Sequence, residues 1–405
     1  MVRRTTMAVS TPQGLSGQLD YVGHYAFNYA PGAHPRTAVA LGMPVRMEPY
    51  EDLEPMSIFQ MNLPEGHMLE MLQNRFKKTT ELDPMLLLAM TGGEAGIGRV
   101  SLTSPEFDKV GAVGVDLAQV LADQGTRDMF QELADKYLMR SGVSGMQPKL
   151  LVPEQSVAIF DKSFIPTREL IVKTEGAHFP SLAINEYLCM SIAREAGIPV
   201  PDFYLSADRK RFVMRRFDRT LAGEAIGFED IAVLVGLTAK EKYALSYEKV
   251  ATVLQLYCSV EHRSAALAQL FDQVALSVLV GNGDAHLKNF GVLYENPDQG
   301  GVQMSPAYDI VCTTCYIPTD TMALSLNHQR SLMVARVDLE AFGKNCCGID
   351  NPLGRIARLV EAMHVIMYTE SELIDQVPEL RRCFEPSLQR FEQLVAGHAP
   401  CVLNP

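Results

Sequence analysis

The sequence predicts an α+β protein with a small β-rich lobe followed by a larger, mostly helical lobe, preceded by a small mixed α/β subdomain. Three observations predict it. Short runs of β-branched and aromatic residues crowd the stretch before residue 215, and helical spacing dominates from 230 onward. The chain has 405 residues, 47% of them hydrophobic and 21% charged, which is ordinary globular composition with enough apolar surface for a sizeable core. The divisions expected are 1–105, 106–228 and 229–405.

In the first division Tyr25, Phe27 and Tyr29 alternate at strand period. The turn LPEG (63–66) opens a helix from His67 to Arg75. Asp83 and Pro84 open a second helix, because Asp caps a helix start well and Pro suits the first turn. Gly92, Gly93, Gly96 and Gly98 end it; no Lys-Ser/Thr follows and no strand-to-helix passage surrounds them, so they read as a turn and not as a phosphate loop. Residues 106–140 form a helical link. Strands are expected at Lys149–Val152, Ser156–Phe160, Leu170–Lys173 and Phe212–Met214. A helix from Ser181 to Ala196 sits among them, capped by Ser181 and stopped by Gly197 and Pro199. Strand-like breaks interrupt the helical lobe near 289–293 and 303–309. No internal repeat is visible.

Charge and cysteine content exclude several classes. A formal net charge of −12 disfavours direct, strong binding to nucleic acid. The longest candidate for a membrane span, Val274–Val280, is too short to cross a bilayer, and the start MVRRTTMAVS has no apolar core of a secretory signal. No membrane association and a cytoplasmic location are therefore expected. Eight cysteines include a Cys312/Cys315 CxxC and an adjacent Cys346/Cys347, without a second pair or histidines at ligand spacing; reduced structural thiols are expected, not metal ligands.

The chemistry concentrates in the loop GNGDAHLKN (281–289), bracketed by apolar runs. Phosphoryl transfer from ATP needs a carboxylate to orient the acceptor hydroxyl and a metal held nearby. A D-x4-N loop supplies both: Asp284 to receive the hydroxyl proton, Asn289 to hold Mg²⁺. Twenty residues on, Asp309 follows an apparent strand, so a hairpin would return a second magnesium-binding carboxylate. Lys173 ends a buried strand and reaches phosphates; Glu186 on the next helix is the natural partner for its ammonium group. The loop GVSGMQPK (142–149) offers glycines for close approach to phosphate, and Lys149 adds charge. Each piece alone has an ordinary explanation as a turn residue or a solvated charge. The joint order of glycine loop, strand lysine, helix glutamate, D-x4-N and Asp matches the protein-kinase template.

At these residues the chain resembles the HipA family, serine/threonine kinases of type II toxin–antitoxin modules, from about residue 12 to 395. The motifs are NGDAHLKNF (282–290), MSPAYDI (304–310), VSGMQPK (143–149) as an SxxGxQxK-like loop, Phe179, Asn185-Glu186-Tyr187, Arg216–Arg219, and in the small subdomain LPEG (63–66) and Asp83-Pro84. The resemblance implies a HipA-like, protein-kinase-like two-lobed fold. It implies ATP and Mg²⁺ as cofactors, with Asp284 as catalytic base and Asn289 and Asp309 as metal ligands. His286 and Lys288 would flank the reacting phosphoryl group. Lys173 would contact ATP phosphates, and Arg216 and Phe217 would lie where adenine is received. Gly142, Val143, Ser144, Gly145, Gln147 and Lys149 would form the phosphate-binding loop, which in this family is itself phosphorylated on serine, ejected and thereby silenced. The usual first serine stands here as Gly142, so Ser144 is the expected acceptor, with Ser141 as the alternative. The family also implies a small helix-turn-helix antitoxin of the HipB type, DNA reached only through it, and a protein substrate such as an aminoacyl-tRNA synthetase. Two other readings compete: a small-molecule kinase, since aminoglycoside and choline kinases share the D-x4-N loop, and a catalytically silent co-regulator that binds the antitoxin.

Overall fold

The computed structural model describes residues 5–77, 82–93, 95–105, 114–125, 128–142, 147–154, 169–176, 179–220 and 222–397. The chain forms two compact units: Met1–Ala183, Asp202–Glu241 and Val292–Val302 make the first, and Ile184–Pro201, Lys242–Gly291 and Gln303–Pro405 the second.

The first unit begins with β1 (Thr5–Thr11), β2 (Gly14–Tyr21), β3 (Tyr25–Tyr29), β4 (Tyr50–Asp52) and β5 (Ser101–Thr103), an antiparallel sheet in the order β4-β3-β2-β1-β5. Met7 faces Leu19, Leu19 faces Phe27 and Val9 faces Leu102, and all five side chains are buried on one face, as strand alternation requires. Helix α1 (Ser57–Gln60) precedes α2 (Gly66–Phe76) and α3 (Pro84–Thr91). The Asp83 carboxylate accepts from Leu86 N at 2.8 Å, the expected cap, and Gly92 closes α3 with its N–H on Leu88 O.

A second antiparallel sheet in this unit holds β6 (Lys149–Pro153), β7 (Glu169–Thr174), β8 (Phe203–Leu205) and β9 (Arg211–Arg215) in the order β6-β7-β9-β8. The strand expected at 156–160 lies outside the described residues. Leu150, Val152, Leu170, Val172 and Val213 meet Met68 and Leu72 of α2, Val120 of α4 (Leu117–Ala122) and Leu133 and Tyr137 of α5 (Met129–Tyr137) in one core. The unit is completed by β10 (Gly227–Asp230), paired with β11 (Gly291–Tyr294), and by α7 (Ile231–Leu234), which Asp230 caps through Val233 N at 2.9 Å.

The second unit is helical: α6 (Leu182–Glu195), α8 (Tyr247–Tyr257), α9 (Val260–Val280), α10 (Leu332–Asn345), α11 (Pro352–Thr369), α12 (Ser371–Asp375) and α13 (Pro378–Ala396), with β12 (Gln303–Met304) between α9 and α10. Its axis is α9, in which residues 270–280 are all buried. A helix apolar on every face must be sheathed, and α8, α10, α11 and α13 do this. Phe271 stacks on Phe342 at 6.4 Å, and Gly343 is required there because an added Cβ would lie 2.9 Å from the Phe271 ring and 2.8 Å from Pro352. The one charge deep in this helix, Asp272, is paired with Arg355 at 2.5 Å and Arg358 at 2.8 Å. Among the described residues no helix is long and apolar enough to cross a membrane.

Candidate active site

The buried helix α9 stops at Gly281, whose φ of 74° is the left-handed turn that glycine adopts without strain. The loop that follows is held from below by the segment 312–321. Thr313 N and Thr314 N both donate to Gly281 O, at 3.0 and 3.2 Å. Gly283 N donates to Thr313 Oγ1 at 2.7 Å, and the Thr313 hydroxyl donates to Asp320. Gly283 admits no side chain in this position: a Cβ would sit 2.1 Å from Asp320 Oδ2 and 2.7 Å from Thr321 O. Asp284 N turns back onto Asn282 Oδ1 at 2.9 Å, an Asx turn that presents the Asp284 side chain.

The loop is also held from the α8 side. Tyr243 Oη donates to Asp284 Oδ1 at 2.9 Å, Leu287 N donates to Lys242 O at 3.1 Å, and Tyr247 Oη donates to Ala285 O at 3.0 Å. Asp284 remains open to solvent, but the packing around its carboxyl raises its pKa, against the lowering effect of Tyr243 and Lys242; Asp309 and Asp320 add to the rise. A carboxylate with raised proton affinity, reachable from outside, is suited to take a proton. His286 is buried and edge-on to the Tyr243 ring at 5.3 Å. Burial, and then Lys242, push its pKa down to about 3, so the ring is neutral at physiological pH and brings no positive charge to the site.

Asn289 is the joint of the site. Its Oδ1 accepts from His286 N at 2.9 Å, which orients the amide, and its Nδ2 then donates to Asp309 Oδ2 at 3.3 Å. The hairpin expected from the sequence is therefore present, and Ser305 N on Gly291 O at 2.9 Å closes it. Asp309 has a φ of 59°, a left-handed conformation uncommon for any residue but glycine and the kind of local strain that gathers at functional sites. Tyr308 Oη donates to Lys288 O at 2.5 Å, which ties the segment before Asp309 to the loop. Asp284, His286, Lys288, Asn289 and Asp309 thus belong to one site in the second unit. Sequence reasoning missed Tyr243, Lys242, Thr313 and Asp320. They stand in polar stretches, TAKEKYALSYEK (238–249) and CTTCYIPTDT (312–321), and nothing in their spacing linked them to residue 284.

The remaining expected residues fall as follows. Lys149 and Lys173 are buried register partners on one face of the second sheet of the first unit, and Lys173 Nζ lies 5.6 Å from the Phe212 ring centre. Gln147 Nε2 donates to Thr174 O at 3.2 Å. Gly142 is packed so that a Cβ would meet Asn62 O at 2.6 Å, so a serine does not fit at 142 in this arrangement. Val143, Ser144 and Gly145 lie outside the described residues. Ser141 is fully buried, donating to Tyr137 O and accepting from Leu151 N, both at 2.9 Å. Arg216 spends its guanidinium on Glu169, on Asp218 and on the carbonyls of Ala95 and Gly96, and Phe217 packs edge-on to Phe228 at 5.3 Å. Glu186 is buried on α6, in the second unit, whereas Lys173 belongs to the first.

Comparison with known proteins bears directly on this arrangement. Residues 141–367 match the family model of the HipA-like C-terminal domain, and residues 7–103 match that of the HipA N-terminal domain. The chain belongs to the HipA family. Among relatives of this HipA-family chain are two proteins of Sinorhizobium fredii: "Putative kinase Y4dM", 32% identical over 42% of this chain and 43% of its own length, and "Putative kinase Y4mE", 26% identical over 90% of this chain and 89% of its own. A Haemophilus influenzae relative is matched over 53% of its length, so two of these relatives are spanned over only about half their extent. The HipA of Shewanella oneidensis, solved with HipB and its operator DNA, shares the fold with a TM-score of 0.68 at 18% identity, over 96% of this chain and 98% of that one.

Proposed function

We propose that this HipA-family chain is an ATP- and magnesium-dependent serine/threonine protein kinase acting as the toxin of a type II toxin–antitoxin module. The observation that carries the reading is the contact of Asn289 with Asp309 at 3.3 Å, beside the loop that presents Asp284. The relatives named as kinases support the same reading.

The donor set suits magnesium, a hard cation that takes one or two carboxylates and completes its shell with phosphate oxygens and water. Asp309 supplies a carboxylate, and Asn289 Oδ1 keeps one lone pair beyond its bond from His286 N. Magnesium, when bound, neutralises phosphate charge as the phosphoryl group moves. Asp284 takes the proton of the attacking hydroxyl. Tyr243 occupies Oδ1, which leaves Oδ2 to accept it. The paired lysines 149 and 173 and the 142–149 loop receive nucleotide phosphates, and Arg216 and Phe217 border the adenine position. Ser144 is the site of self-phosphorylation. A phosphate there carries nearly two negative charges and repels the nucleotide phosphates, which silences the enzyme.

A small helix-turn-helix protein of the HipB type is the partner. The net charge of −12 suits a chain that reaches DNA only through such a basic intermediary. The substrate is a cellular protein.

The test is purified chain with labelled ATP, magnesium and cell lysate. Label should enter protein bands and fall by about 10²–10⁴-fold in Asp284→Ala, the usual worth of a general base. Label confined to small metabolites would favour a small-molecule kinase. Unchanged growth inhibition by Asp284→Ala would favour a silent binding module. After incubation with ATP, mass spectrometry should find phosphate on Ser144; a loop peptide left unmodified while other proteins are labelled would remove the self-silencing step.

A further inference from the structure

The segment that holds the Asp284 loop in place is itself flanked by two thiols. Cys312 and Cys315 bracket Thr313 and Thr314, the residues whose N–H groups hold Gly281 O and whose hydroxyl receives Gly283 N. Both sulfurs touch polar atoms of this turn. Cys315 Sγ lies 2.9 Å from Cys312 O, and Cys312 Sγ lies 3.4 Å from Thr314 Oγ1. The fully buried Asn185 on α6 ties the turn together: its Oδ1 accepts from Cys312 N at 2.8 Å, and its Nδ2 donates to Cys312 O at 2.9 Å and to Cys315 Sγ at 3.3 Å. Cys315 is part-exposed, whereas Cys312 is closed off. Cys383 on α13 is a third thiol within hydrogen-bond reach of Cys312.

We propose that Cys312 and Cys315 form a reversible disulfide under hydroperoxide, and that this modification releases the grip of Thr313 and Thr314 on the catalytic loop. The effect on phosphoryl transfer rests on the kinase reading; the disulfide and its effect on the loop do not. In the first step the Cys315 sulfur attacks the distal oxygen of ROOH. An S–O bond forms, the O–O bond breaks, sulfur loses two electrons, and the thiol proton leaves with the alcohol ROH. In the second step the Cys312 sulfur attacks the sulfenic sulfur of Cys315. The S–S bond forms, the S–O bond breaks, and hydroxide departs with the Cys312 proton as water. A dithiol reverses the change by exchange.

The division of roles follows from access. The part-exposed thiol of Cys315 meets the oxidant, and the buried thiol of Cys312 resolves it. The hydrogen bond with Cys315, opposed by Cys383 and reinforced by burial, pushes the Cys312 thiol up to about 12, so Cys312 is not the thiol that reacts first with the oxidant. Bridging the sulfurs removes the Cys315 sulfur from both Cys312 O and Asn185 Nδ2. A disulfide has no S–H to donate to Cys312 O, so the turn that carries the two threonine N–H groups resettles, and with it the anchor of Gly281 and Gly283.

The sequence makes the test clean. Cleavage after Lys288 and Arg330 leaves Cys312 and Cys315 as the only cysteines of one peptide, while Cys383 lies in another. The full chain is treated with hydrogen peroxide and then blocked and digested. The 289–330 peptide should lose two hydrogen masses and regain them with dithiothreitol, and backbone amides of 281–285 should exchange faster by about tenfold in the oxidised form. Cys315→Ser should abolish both changes, and Cys383→Ser should leave both intact. A 289–330 peptide that stays reduced while the part-exposed Cys346 is oxidised would overturn the proposal, as would a cross-link to the peptide holding Cys383. Loop amides that exchange identically in both forms would overturn the release. If the disulfide and the exchange change both appear but the reduced chain transfers no phosphate to any acceptor, the kinase reading fails and the thiol switch stands.

Discussion

At residue scale, one hydrogen bond opposes the effect of packing on Asp284. Packing raises the pKa of Asp284 and the Tyr243 hydroxyl opposes that rise. In its proposed role as base, Asp284 acts only when ionised, so activity should fall as pH drops through its pKa. Tyr243→Phe removes the opposing bond, raises the pKa further and moves the acid limb of the kcat/KM profile to higher pH. Measured across pH, the variant should match wild type on the alkaline side and fall short on the acid side; an unmoved acid limb would mean that Asp284 is not the titrating base. The residues of this site divide by how legible they were. Asp284 and Asn289 share one short loop, and Asp309 follows it through a hairpin, so spacing alone related them. Tyr243 and Asp320 reach the loop from distant stretches through single contacts, and a linear pattern holds no trace of those. The neutral state of His286 also depends on burial and on Lys242, which its position in the motif does not reveal.

At the scale of elements, starts and stops were the most legible features. Asp83-Pro84 and the Gly197 stop express backbone chemistry that acts within a few residues, so α3 and the end of α6 lie where local rules put them. The strand β10 was hidden because it completes a pairing with β11, about sixty residues later, that no local rule predicts. The loop 281–289 shows the opposite case, an element whose shape depends on the absence of side chains. Gly283→Ala would force a Cβ to 2.1 Å from the Asp320 carboxylate and 2.7 Å from Thr321 O. The loop must shift, and a displacement of about 1 Å at reacting groups costs on the order of 10²-fold in rate. Phosphoryl transfer by this variant should fall by about that factor, while a far-ultraviolet circular dichroism spectrum like that of wild type shows the helices intact. Full activity would mean that the loop position is not critical.

Across the whole molecule, the two units draw on interleaved stretches of chain, which a reading by composition along the sequence does not reveal. Segment Val292–Val302 returns to the first unit and carries Tyr294 to Glu229. Glu229 is fully buried, and burial pushes its carboxyl up to about 7 despite bonds from Tyr294 and from Leu41 N at 2.8 Å. The folded form then holds a proton that the unfolded form releases near 4.5, so stability from this group is present at low pH and declines as pH rises from about 4.5 to 7. The loss is on the order of 3 kcal/mol. Denaturant melts at a series of pH values should show this decline in wild type and a flatter curve for Glu229→Gln; parallel curves would assign the slope to other groups. The left-handed backbone at Asp309 has a different kind of consequence. Asparagine and glycine tolerate that conformation as well as aspartate or better, so genetic drift at this position has two outcomes that spare the architecture and erase the charge. On the proposed metal role of Asp309, lineages that blunt such a gene by this route would inherit inactive but well-folded chains, and not debris for the proteases.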